Sequence, residues 1–92
     1  YNSGDFVSKI GTAVGLSEKT KRDALDILFK AKEKNITDGK NPLSLAASAI
    51  FLSGITNHEK ATQKDIAKAS GISSVTIRNV AKILRKYVGA SV

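Results

Sequence analysis

Residues 62–84, Thr62-Gln63-Lys64-Asp65-Ile66-Ala67-Lys68-Ala69-Ser70-Gly71-Ile72-Ser73-Ser74-Val75-Thr76-Ile77-Arg78-Asn79-Val80-Ala81-Lys82-Ile83-Leu84, decide how the chain folds. Thr62-Gln63-Lys64-Asp65 has the form of a capping box, which satisfies free N–H groups at a helix start. Ile66, Ala67 and Ala69 are expected to face inward, and Gly71 suits the left-handed position that ends a helix. A second helix is expected from Ser73 or Ser74, with Ile77, Val80, Ala81, Leu84 and Val88 on its buried stripe. β-branched residues are common over 72–80 and would suit a strand, but the spacing 77, 80, 81, 84, 88 is helical rather than alternating. Two short helices around a tight glycine turn, with the small Ala67 where they cross and Ile72 plugging the corner, form a helix-turn-helix over 62–87.

Working back toward the N-terminus, the same spacing yields three more helices. Residues 39–55, GKNPLSLAASAIFLSGI, open with Pro42, whose missing N–H costs nothing at a first helical position. Leu43, Leu45, Ala46, Ala47, Ala49, Ile50, Phe51 and Leu52 leave this third helix no broad polar face, which predicts a central helix wrapped by the others. Asp38 to Asn41 is a turn by composition, and residues 54–59 form a loop. Ser17 followed by Glu18 caps a second helix running to about Asn35, with Ala24, Leu25, Ile27, Leu28 and Ala31 inward. Phe6, Val7, Ile10 and Val14 recur at helical spacing in a short first helix that Gly15 stops. The fold class is therefore all-α, with five helices. Residues 1–4 are assigned to a linker remnant, 5–88 to the domain and 89–92 to a tail.

Ninety-two residues bound the chain to one domain, since a chain of this size buries only about 60–65% of its unfolded surface and cannot support two cores. It begins at Tyr1 and contains no methionine, which suggests a piece excised from a longer protein. No cysteine is present, so disulfides and thiolate metal sites are excluded. The longest apolar run is too short and too interrupted by serine to cross a bilayer, and no signal-peptide pattern opens the chain; a soluble domain with no membrane association is expected.

The formal charge is +7, and it is concentrated at one end. From Lys60 onward seven bases (Lys60, Lys64, Lys68, Arg78, Lys82, Arg85, Lys86) face one acid, Asp65, for +6; residues 1–59 hold eight bases and seven acids, for +1. Such asymmetry suits a polyanionic partner, although a lysine-rich surface that only confers solubility carries similar charge.

Spacing favours the partner. The side of the last helix opposite its buried stripe carries Val75, Arg78, Asn79, Lys82 and Arg85 or Lys86 at successive three- and four-residue steps. An exposed arginine can make a bidentate contact to guanine, asparagine can pair with adenine, and a valine methyl can rest on a thymine methyl. Val75, Arg78 and Asn79 are the base-reading candidates. Ser73, Ser74 and Thr76 at the helix start offer hydroxyl and N–H donors to phosphate oxygens, with the helix dipole favouring the anion, and Lys82, Arg85 and Lys86 offer charge.

These segments resemble a known family. The 39–55 stretch, the Thr62-Gln63 pair and Val75-Thr76-Ile77-Arg78 are similar to the second cyclin-like repeat of archaeal transcription factor B and its eukaryotic counterpart, general transcription factor IIB, from about Asp5 to Tyr87. The resemblance implies a five-helix cyclin box whose last two helices form the helix-turn-helix. It implies a general transcription initiation factor domain that binds promoter duplex just upstream of the TATA box. The parent protein would engage TATA-binding protein and RNA polymerase. Val75 and Arg78 inherit base-reading roles; Thr62, Gln63 and Lys64, with Lys40 and Ser44 at the start of helix three, become backbone contacts. Many archaeal members continue with an Arg-Tyr pair where this chain has Val80-Ala81, so it lacks any contact those side chains make. The resemblance further implies a monomer in an archaeal cytoplasm, or a nucleus for a eukaryotic source.

Other classes have less support. An enzyme needs convergent groups, yet the single histidine, His58, stands in a polar loop beside Glu59, and no metal-ligand spacing or cofactor motif occurs. Asp23 and Asp26 sit among Lys19, Lys21, Arg22 and Lys30 as an ordinary charged face. A cyclin-box module that binds only proteins would make Val75 an interface residue. A dimeric regulator of the bacterial helix-turn-helix type would need a dimer helix after Tyr87, where few residues remain.

Overall fold

A computed structural model describes residues 3–35, 41–59 and 62–88. They form α1 (Ser3–Ala13), α2 (Glu18–Glu33), α3 (Pro42–Thr56), α4 (Gln63–Ser70) and α5 (Ser74–Val88), with no strand among the described residues. The all-α, five-helix expectation holds. α1 begins at Ser3, inside the segment assigned to a linker remnant.

The helix ends follow local chemistry. α1 closes in a Schellman motif: Gly15, at φ +75°, donates to the Thr12 carbonyl at 3.2 Å, and Leu16 donates to the Gly11 carbonyl at 2.9 Å while its side chain is buried. α3 closes the same way with a less suited residue. His58, at φ 56°, donates to the Ile55 carbonyl at 3.1 Å and Glu59 donates to the Gly54 carbonyl at 2.9 Å. Asn41 caps the start of α3, its Oδ1 accepting from the Leu43 N–H at 2.8 Å, with Pro42 following as the sequence suggests.

α3 is the axis of the bundle and touches each of the other four helices. Every residue from Ser44 to Gly54 except the half-buried Phe51 is buried, and its run of small alanines and serines permits close approach on all sides. Val7 and Ile10 of α1, Ala24, Ile27, Leu28 and Ala31 of α2, Ile66 of α4, and Ile77, Ala81 and Leu84 of α5 complete one core. Burying such side chains contributes about 1.5–3 kcal/mol each for the larger aliphatics.

Two inward assignments are corrected. Leu25 is 43% exposed, because it is rotated by about 100° from Ala24, off the stripe that Thr20, Ala24, Ile27, Leu28 and Ala31 share, and it joins the exposed Phe29 instead. Ala69 is exposed beside Lys68; Ser70, one turn on from Ile66, takes the buried position.

The loop after α3 is tied back to α2. Glu59 accepts from the Ser17 N–H at 3.0 Å and from the Ser17 hydroxyl at 2.8 Å, while Ser17 itself caps α2 by accepting from the Thr20 N–H at 3.3 Å. Asn57 Nδ2 donates to Asp23 Oδ2 at 2.7 Å. These bonds fix where the chain leaves the central helix on its way to α4.

Candidate nucleic-acid interface

Thr62 caps α4, its Oγ1 accepting from the Asp65 N–H at 3.1 Å as the capping pattern requires. Ile66 is fully buried and the small Ala67 is half-buried against the core, which seats this short helix. Its end is built by two residues. Gly71 adopts φ +76° and ψ 8° and donates to the Ala67 carbonyl at 2.8 Å. The Ser70 hydroxyl donates to the Ile66 carbonyl at 2.7 Å and accepts from the Ile72 N–H at 3.2 Å. The Gly71 and Ile72 N–H groups are thereby satisfied, and the half-buried Ile72 packs at the corner.

Ser73 then starts α5. Its Oγ accepts from the Thr76 N–H at 3.2 Å and donates to Thr76 Oγ1 at 2.9 Å, and its carbonyl accepts from the Ile77 N–H at 3.1 Å. Ile77 and Leu84 are fully buried, Ala81 nearly so, and Val80 and Ile83 are half-buried, so one side of α5 is locked into the bundle. α5 packs most extensively on α3. There the fully buried Ser48 hydroxyl is shared between the Ser44 carbonyl at 2.8 Å and the Ile77 carbonyl at 3.1 Å.

The other side of α5 faces solvent. Val75 is 66% exposed, and Arg78, Asn79, Lys82, Arg85 and Lys86 are exposed along the same face, as the spacing predicts. Arg85 and Lys86 also engage neighbouring groups. Ser73 and Ser74 lie exposed at the head of this face, whereas Thr76 is half-buried with its hydroxyl held by Ser73. Thr62 and Lys64 are exposed and Gln63 half-buried at the start of α4. Ser44 differs from the exposed position expected of it: at 7% exposure it is buried in the bundle, one turn before Ser48. Lys40 lies outside the described residues.

Two residues escaped the sequence reading of the site. Lys68 is exposed on α4 and extends the basic set; the sequence shows its charge but not the face of α4 it takes. Ser48 anchors α5 to α3, and its signal was a serine inside an otherwise apolar helix, where a buried hydroxyl must find a partner.

His58 is exposed, and its neighbour Glu59 is engaged with Ser17. No group of three or more histidine, cysteine or carboxylate residues among the described residues could hold a metal ion. A cavity of about 430 Å³ between the end of α1 and α4 has Asp65 and Lys68, both exposed, as its charged groups among the described residues. No helix among the described residues is long and apolar enough to cross a membrane.

Comparison with known proteins agrees with this architecture. The family model described as the transcription factor TFIIB repeat matches residues 1–87. The chain is 48% identical over 75 residues to a transcription initiation factor IIB of Sulfurisphaera tokodaii, covering 82% of this chain and 24% of that protein. It is 38% identical over 88 residues to the factor of the same name from Pyrococcus abyssi, covering 96% and 29%. Against that from Pyrobaculum neutrophilum it is 40% identical over 87 residues, covering 95% and 26%. The chain thus spans between 24% and 29% of the length of these relatives. With four helices around a buried central one and a repeat-family match over nearly its whole length, the chain belongs to the transcription factor TFIIB repeat family, as a cyclin-like repeat.

Proposed function

We propose that this chain is the second cyclin-like repeat of an archaeal transcription initiation factor and binds promoter duplex upstream of the TATA box through α5. The observation that carries the reading is the division of α5 into two sides: Ile77, Ala81 and Leu84 are buried, while Val75, Arg78 and Asn79 stand together in solvent on the far side. A helix held this way can enter a major groove without disturbing the core. Arg78 supplies paired donors to a guanine edge, Asn79 pairs with adenine, and Val75 offers a methyl surface to thymine or excludes water at a base edge. Thr62, Gln63, Lys64, Ser73, Ser74, Thr76, Lys82, Arg85 and Lys86 are assigned to the phosphates, which set register and affinity. TATA-binding protein and RNA polymerase are partners of the longer parent protein, and the repeat acts as a monomer in the archaeal cytoplasm. The family is one of non-enzymatic transcription factors, so no reaction is assigned.

Binding to duplexes that differ at single base pairs tests the reading. Arg78→Ala should lose about 1–3 kcal/mol of discrimination at one base pair, and Lys82→Ala should weaken binding on every sequence and lower the salt slope by about 1. Equal weakening of all sequences by Arg78→Ala would remove base reading from the account. One observation favours the rival module that binds only protein: Leu25 and Phe29, 43% and 62% exposed, lie one turn apart on α2 as an apolar patch on the surface. Absence of duplex binding even at low salt would favour that rival.

A further inference from the structure

We propose that Ser48 is a positioning residue for base recognition: its buried hydroxyl fixes the register of α5 on the central helix, and with it the placement of Val75 and Arg78 at the base edges. The inference rests on the reading of α5 as the recognition helix. Ser48 is fully buried in α3, and its hydroxyl, 2.8 Å from the Ser44 carbonyl of its own helix, also lies 3.1 Å from the Ile77 carbonyl, across 29 residues of sequence. Ile77 is the residue immediately before Arg78 and two after Val75, so this polar contact lies within one turn of both base-reading candidates.

The physical division of labour is between contacts that hold and contacts that locate. Ile77, Ala81 and Leu84 bury apolar surface, and that driving force is non-directional. A hydrogen bond is directional, preferring an angle above about 150° at the hydrogen and weakening steeply below about 120°. A helix advances about 1.5 Å per residue, so a slide or roll of α5 on that scale would carry the Ile77 carbonyl off the line of the Ser48 hydroxyl. A bidentate arginine contact at a base edge has the same narrow tolerance, whereas a phosphate contact through a long lysine side chain adapts. Loss of the Ser48 hydroxyl therefore falls on sequence discrimination and spares the charge-driven part of binding.

Ser53 supplies the control. It is also fully buried in α3, but its hydroxyl donates to the Ile50 carbonyl of its own helix at 3.0 Å. Ser48→Ala and Ser53→Ala thus each remove one buried hydroxyl from the same helix, and only the first removes one directed at α5. Both variants keep a good helix former, and the Ile77 carbonyl keeps its helical N–H partner, so both are expected to fold.

The test uses a duplex selected by the wild-type chain from a randomised pool, and the same duplex with one selected base pair replaced. Binding of both is measured for wild type, Ser48→Ala and Ser53→Ala over a range of salt, well below each chain's melting temperature. Ser48→Ala is expected to lower the ratio of the two affinities by roughly threefold to tenfold, with an unchanged salt slope, and Ser53→Ala to leave the ratio at its wild-type value. A wild-type ratio in Ser48→Ala, or an equal fall in both variants, overturns the positioning role while leaving the recognition helix in place. Failure of the wild-type chain to select any duplex removes the recognition reading itself and the proposal with it. Should circular dichroism show Ser48→Ala unfolded, Ser48→Cys decides: a thiol is a weak donor, a reduced ratio is expected, and a wild-type ratio overturns the proposal.

Discussion

Replacing Gly71 with alanine isolates the turn on which the helix-turn-helix depends. Gly71 holds φ +76° and ψ 8°, and a Cβ built on it meets no heavy atom within 4 Å. The cost is therefore conformational and not steric. The left-handed region costs an L-residue about 1–2 kcal/mol. Alanine recovers about 0.4–1 kcal/mol of that by restricting the unfolded chain. The net expectation is a loss of about 1 kcal/mol, or a fall in Tm of about 4–8 °C for a domain of this size. Gly71→Asn should lose less, because asparagine tolerates the left-handed region. Gly15 provides an independent check, since it has φ +75° and equally open surroundings at the end of α1, and Gly15→Ala should cost the same. Thermal and urea unfolding followed by circular dichroism measure all three. A Gly71→Ala chain as stable as wild type, or an asparagine variant less stable than the alanine one, would refute the turn geometry.

Three further outcomes follow from particular residues. His58 takes φ 56° with an exposed side chain, so His58→Gly should stabilise the domain by up to about 1 kcal/mol in urea unfolding. Leu84→Ala, at a fully buried position where α5 meets the core, should cost about 2–5 kcal/mol and lower duplex affinity only to the extent that the chain unfolds, which separate stability and binding curves would reveal. The Lys21 ammonium, 2.9 Å from Glu18, holds that carboxyl below its ordinary value, so NMR titration of Glu18 should give a midpoint below the usual glutamate range. Because the folded value is the lower one, the contact's contribution is present above the unfolded pKa and fades as pH falls through the folded value.

The helices were legible because their signals agree across levels. Pro42 after Asn41, the Thr62 cap, Gly71 in the left-handed position and the serine start of α5 each mark a boundary that the hydrophobic spacing also marks. The solvent side of α5 followed from the same spacing. What could not be read was which of two neighbouring stripes a helix buries. Leu25 and Ala69 are apolar residues one step off the buried stripe, and only packing against the other helices decides such cases. Ser44 is a related case: a serine in the first turn of a helix reads as exposed until the bundle closes over it. Long-range polar contacts, Ser48 to Ile77 and Glu59 to Ser17, join residues 29 and 42 apart and carry no local signature.

The most direct test of the central claim is chemical-shift mapping of the chain with a duplex carrying an upstream promoter element. The largest amide perturbations are expected on residues 73–79 and at Lys82, with smaller ones at the start of α4, while α2 around Leu25 and Phe29 is unchanged. Perturbations centred on α2, or spread evenly over the basic surface with no focus at Val75 and Arg78, would contradict the claim.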